Sequence, residues 1–118
     1  MGWEVYPQAM YQVINKFSSY PQIKNIIITE NGAAFKDDVA EGKVTDNKRI
    51  AYLQANLEQV LKAKQEGANV TGYFVWTLTD NFEWAEGYRP RFGLVYIDFE
   101  TQQRIIKQSG YWFKDFLV

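Results

Sequence analysis

Apolar and polar residues repeat at two different periods along this chain. After Pro7, the residues Met10, Val13, Ile14 and Phe17 recur at helical spacing, which predicts a helix that stops at Ser18-Ser19-Tyr20-Pro21. Ile26-Ile27-Ile28-Thr29 then runs without any polar alternation, the pattern of a parallel strand buried on both faces. The run stops at Glu30, followed by Asn31-Gly32, a pair suited to a tight turn. Residues 33–43 are polar and read as a surface loop, with Asp37 and Asp38 solvated. Thr45 or Asp46 is placed to cap a helix whose inward positions are Ile50, Leu53, Leu57, Val60 and Leu61, and Gly67 is its natural stop. Residues 70–78 form a second, aromatic and β-branched strand leading into the loop Thr79-Asp80-Asn81-Phe82-Glu83-Trp84. Residues 94–99 and 104–106 are predicted to pair as a hairpin, and a short aromatic helix covers 111–118.

The order helix, strand, helix, strand, helix is a βαβ unit with flanking helices, so the class is α/β with a right-handed crossover. In such folds ligands bind beyond the carboxyl ends of the strands, and Glu30 stands at that end. Two parallel strands alone leave both sheet edges unpaired. The chain is therefore expected to be part of a larger protein, or to find strand partners on another chain.

Composition narrows the chemistry. The net charge is −1 with scattered Lys and Arg, which leaves no electrostatic footprint for nucleic acid. With no histidine and no cysteine, the commonest general base, thiolate nucleophiles, zinc–thiolate sites and disulfides are all excluded from these residues. The absence of cysteine suits a reducing, cytoplasmic setting. No run is apolar and long enough to span a bilayer, and no signal peptide follows Met1. Aromatics make up 17% of the residues, and aromatic faces beside carboxylates suit flat, hydroxylated ligands such as sugars.

Five stretches, in order and spread over nearly the whole chain, carry a resemblance: Trp3-Glu4-Val5-Tyr6-Pro7, Ile28-Thr29-Glu30-Asn31-Gly32, Gly72-Tyr73-Phe74-Val75-Trp76, Asp80-Asn81-Phe82-Glu83-Trp84 and Arg91-Phe92-Gly93-Leu94. Together they resemble the carboxyl-terminal portion of family 1 glycoside hydrolases, the β-glucosidase and 6-phospho-β-glucosidase group. The resemblance implies the last two βα units of a (β/α)8 TIM barrel, with residues 1–118 as a partial barrel domain of a larger hydrolase.

It also implies roles for individual residues. Glu30 corresponds to the catalytic nucleophile of a retaining mechanism, and Trp76 to the aromatic platform beneath the sugar. Glu83 and Trp84 correspond to residues that bind distal glycone hydroxyls, and Phe92 to a nearby aromatic wall. The Glu83-Trp84 pair suits a plain glucoside or galactoside better than a 6-phosphate. No metal or cofactor is implied, because the two-carboxyl mechanism needs none. The family's acid/base lies in an Asn-Glu-Pro motif on an earlier strand, and that motif does not occur here. The chain alone is thus expected not to be an efficient glycosidase. Two other readings stand beside this one: a sugar-binding module without chemistry, and a barrel fragment that self-associates or pairs with the missing part of the barrel.

Overall fold

The computed structural model describes residues 2–118. Its elements in order are α1 (Gln8–Ser18), β1 (Ile26–Asn31), β2 (Val39–Ala40), β3 (Lys43–Val44), α2 (Asn47–Gln65), β4 (Val70–Val75), β5 (Val95–Ile97), β6 (Arg104–Ile106) and α3 (Gln108–Phe116), with a short 3-10 turn at Trp84–Glu86 between β4 and β5. β1 and β4 pair in parallel, while β2–β3 and β5–β6 are antiparallel hairpins. The predicted βαβ unit is therefore present, with α2 as its crossover.

The core forms where the two helical stripes meet one face of the β1–β4 pair. Ile14 of α1, Val60 and Ala63 of α2, Ala68 and Val70 are buried together, with Met10, Tyr11, Ile26, Ile28 and Tyr73 packed around them. The opposite face of the pair is bare: Ile27 is 49% exposed and Phe74 60%. The expectation that β1 is buried on both faces is thus corrected, because no second layer covers that side. The same reason divides the α1 stripe. Ile14 packs against α2, whereas Val13 and Phe17 lie on an uncovered flank. On α2, Leu53, Leu57 and Val60 are buried as expected, but Leu61 is exposed. The radius of gyration, 15.8 Å, exceeds the about 13–14 Å of a compact domain of this size, as an open slab should.

Several local expectations change for identifiable reasons. β4 ends at Val75 rather than at Leu78, since the chain leaves the sheet at Trp76 and Leu78 is solvent-exposed. Within the loop after β1, Glu41 (φ 52°) and Gly42 (φ 72°) make a two-residue turn between β2 and β3, a conformation at both central positions that glycine eases. Asp37 does not join the solvent: its side chain is fully buried against Arg49 and Lys107, while Asp38 is exposed as expected. Asp46 does occupy the N-cap position of α2, yet its carboxylate bonds Arg49 and accepts from the backbone N–H of Ser109 (2.8 Å) and from its hydroxyl (2.5 Å). This capping from a distant element lets α3 begin at Gln108, earlier than residue 111. Gly110 sits inside that helix because a Cβ there would lie 3.0 Å from the Leu94 carbonyl oxygen.

A closed ion cluster ties these loops together. Lys107 Nζ bonds Asp37 (2.5 Å) and Asp80 (2.8 Å), Arg49 pairs with Asp37 and Asp46, and Arg91 reaches Asp80 at 3.1 Å. Three carboxylates thus face three cations. Burial pushes the Lys107 ammonium below its ordinary pKa, the Arg49 charge adds to that, and the two carboxylates oppose it.

Candidate active site

Glu30 owes its direction to an irregularity in the strand pairing. Ile28 pairs with Tyr73 and Asn31 with Val75, so three steps along β1 match two along β4. Without that extra residue, Ile28 and Asn31 would point to opposite faces. With it, both turn toward the helices, and Glu30 is delivered to the other side, as bulges beside active sites do. Gly32 follows in close contact with the next strand end, where a Cβ would lie 1.7 Å from the Trp76 carbonyl oxygen. Only glycine admits that approach.

Trp76 leaves β4 at its carboxyl end, with its N–H donating to the Asn31 carbonyl at 2.9 Å. The Trp76–Thr77 peptide bond is cis. The loop beyond it is anchored by Asp80, whose buried carboxylate accepts from the Gly93 N–H (2.8 Å) as well as from Lys107 and Arg91. Gly93 lies so close to this segment that a Cβ would come within 2.3 Å of the Asp80 nitrogen. Between these two fixed points, the Glu83 N–H donates to the Gly87 carbonyl (2.8 Å) and closes the turn that carries Trp84. The Asn81 amide donates to the Glu83 carboxylate at 3.3 Å. Trp84 has φ 46° and is 83% exposed, so its indole projects from the loop.

Glu30, Trp76, Glu83, Trp84 and Phe92 converge on one open cavity of about 450 Å³, together with Trp3 and Gly32. Every residue singled out from the sequence is therefore on its wall. Phe92 is 2% exposed and packs on Trp3, with ring centroids 6.1 Å apart, which makes it a wall and not a platform. Trp3 was missed as a lining residue. Its place in the Trp3-Glu4-Val5-Tyr6-Pro7 motif ahead of α1 was the available signal. No Lys or Arg lines the cavity, and the Glu30 carboxylate has no hydrogen-bond or ion-pair partner among the described residues. No cluster of His, Cys, Asp or Glu among the described residues could hold a metal ion.

Arg89 and Arg91 neutralise neighbouring carboxylates, Glu86 and Asp80. Tyr88 packs between Phe82 and Phe99, and Trp112 stacks on Phe116, all away from the cavity.

An unpartnered carboxylate and several aromatic faces at the carboxyl ends of adjacent parallel strands define the ligand end of a (β/α) barrel. The fold agrees: the structure superposes on the family 1 β-glucosidase of Thermotoga maritima, solved in complex with isofagomine lactam, with a TM-score of 0.96 and 52% identity over 99% of this chain and 27% of that one. It is accordingly the carboxyl-terminal part of a (β/α)8 barrel, its last two βα units. The chain belongs to Glycosyl hydrolase family 1, whose sequence model matches residues 1–118. Among its relatives, a 1,4-β-D-glucan glucohydrolase of Thermotoga neapolitana is 54% identical over 116 residues, 98% of this chain and 26% of that protein. A 6-phospho-β-galactosidase of Clostridium acetobutylicum is 48% identical over 113 residues, 95% of this chain and 24% of that protein. The chain thus spans about a quarter of the length of the curated relatives it matches.

Proposed function

We propose that residues 1–118 form the carboxyl-terminal part of the barrel domain of a larger, retaining β-glucosidase, and carry its nucleophile and much of its glycone-binding wall. The observation that carries this reading is the convergence of Glu30, Trp76, Glu83, Trp84 and Phe92 on one cavity at the strand ends. In this mechanism the Glu30 carboxylate attacks the anomeric carbon, the bond to the aglycone oxygen breaks, and a glycosyl ester forms that water then hydrolyses. Trp76 supplies the face beneath the sugar ring. Glu83 accepts hydrogen bonds from sugar hydroxyls, while the Trp84 indole N–H donates one.

A second carboxyl group must stand about 5–5.5 Å from the nucleophile to protonate the leaving oxygen. In this reading it belongs to the remainder of the barrel, so this chain alone hydrolyses ordinary glucosides poorly. The open edges of the β1–β4 pair join that remainder, or a second copy when the remainder is absent, and the bare face with Ile27 and Phe74 is covered by the same partner. A neutral glucoside or galactoside is favoured over a 6-phosphate because no cation lines the cavity. No helix among the described residues is long and apolar enough to cross a membrane. A cytoplasmic location is part of the proposal and rests on the cysteine-free composition.

The test uses a 2-deoxy-2-fluoro-β-glucoside with a dinitrophenyl leaving group, which departs as a stable phenolate without an acid. A stoichiometric mass gain that maps to Glu30 and disappears in Glu30→Gln is the expected result. A gain that persists in Glu30→Gln would overturn the assignment of the nucleophile.

A further inference from the structure

The direction of Glu30 depends on Asn31, and Asn31 is held from two sides. Its side-chain oxygen accepts from the Tyr73 hydroxyl at 2.6 Å, and its amide donates to the Tyr52 hydroxyl at 3.1 Å. Tyr52 in turn donates to the Gly32 carbonyl at 3.2 Å, and the Asn31 carbonyl accepts from the Trp76 N–H. Both residues after Glu30 are therefore tied, one to α2 and β4 through side chains, the other by backbone contact with Trp76. The Tyr52 ring is steadied by Phe35, edge-on at 6.2 Å.

We propose that Tyr52 and Tyr73, acting through Asn31, are positioning residues for Glu30: their clamp holds the extra residue of β1 in place and so aims the Glu30 carboxylate into the cavity. The proposal rests on the reading of Glu30 as the nucleophile. An asparagine facing the helix side of the sheet has no apolar partner to hold it there. The two phenol groups supply one acceptor and one donor and satisfy both ends of its amide. Releasing either end frees Asn31 to rotate back, which returns β1 to regular alternation and swings Glu30 away. Burial raises the pKa of both tyrosines, so the phenols stay protonated and keep donating across the neutral range. A displaced attacking group loses rate steeply, about 100-fold for about 1 Å. Glu83 and Trp84 are presented by a loop anchored elsewhere, at Asp80 and Gly87, so their part in ligand binding does not depend on the clamp.

Tyr73→Phe and Tyr52→Phe remove one hydroxyl each and keep the rings. Tyr20→Phe, at an exposed site away from the cavity, serves as the control. Two readouts are taken on the full chain: the pairing of Asn31 with Val75 from cross-strand NOEs, and the kinetics of labelling by the fluoroglucoside. The expected result is an Asn31–Val75 contact that is present in the parent and lost or weakened in both clamp variants. The limiting labelling rate falls about 10- to 100-fold while the half-saturating concentration changes far less. The control behaves as the parent.

An Asn31–Val75 contact that persists in the folded clamp variants, with labelling at the parental rate, would overturn the clamp. If the parent itself is not labelled, the nucleophile reading fails, and the Asn31–Val75 contact still decides whether the two tyrosines hold the extra residue of β1. If Tyr73→Phe does not fold, Tyr52→Phe leaves the Tyr73–Asn31 bond in place and carries the same test.

Discussion

Two groups of carboxylates in this small chain are treated in opposite ways. Asp37, Asp46 and Asp80 sit in a closed cluster where each meets a cation and the side chains have almost no contact with water. Glu30 and Glu83 lie on an open cavity with no cation on its wall. The difference is one of energetics. A charge taken out of water costs several kcal/mol unless it is paired and hydrogen-bonded, so the inner carboxylates are fully matched. A carboxylate on an open cavity needs no such partner, because water solvates it and it stays available to a ligand. The first group fixes loops and the second stays available, and the loop that presents Glu83 is pinned at its root by Asp80 of the first group.

The comparison breaks most severely at Lys107. Lys107→Ala leaves Asp37 and Asp80 short of a buried partner and should cost about 3–5 kcal/mol, read from urea unfolding of the chain. A loss below about 1 kcal/mol would mean that water enters and solvates the cluster. Next in size is Trp84→Ala. It should weaken glucose or gluconolactone binding by about tenfold in a fluorescence titration, and leave the unfolding midpoint in place because the indole packs on little. Smaller still is the stability effect of Glu30→Gln. An unpartnered surface carboxylate carries little folding energy, so unfolding should shift by no more than about 0.5 kcal/mol even as labelling is lost. A large destabilisation there would move Glu30 into the structural group.

The smallest effect concerns a third kind of carboxylate. Asp98 is half-exposed, and the backbone N–H groups of Thr101 and Glu100 hold its pKa below the ordinary aspartate value of 3.8. A lowered folded-state pKa means stabilisation that is present above 3.8 and fades as pH falls through the folded value. Acidification should therefore loosen the β5–β6 turn, visible as smaller protection of the Thr101 and Glu100 amides, relative to their intrinsic exchange rates, below about pH 4. Equal protection of these amides at pH 3 and pH 6 would argue against it.

How much of this was legible beforehand differs by region. The α2 stripe, the β1 run and the β5–β6 hairpin all follow from local periodicity, and the structure has them within a few residues. The cavity-lining residues Glu30, Trp76, Glu83, Trp84 and Phe92 were legible because each sits in a short contiguous motif, although most of them lie far apart along the chain. Trp3 also lies in such a motif, but only the fold shows that the segment before α1 returns to the cavity wall. The fate of Asp37 and Asp38 is the plainest case. They are adjacent acids in one polar loop, yet one is fully buried and the other exposed. Nothing local separates them, since the deciding partners, Arg49 and Lys107, arrive from two other elements.

The amino-acid sequence by itself determined the α/β class, the order of elements, the family, and the position of Glu30 at a strand end. These depend on periodicity and on contiguous motifs, which are local properties of the chain. Tertiary structure alone decided which acids are paired and which stay free, which face of β1–β4 is covered, and where the bulge at Asn31 aims Glu30. Those outcomes depend on charges and hydroxyls brought together from distant positions, and burial makes each such pairing obligatory only once the chain has folded.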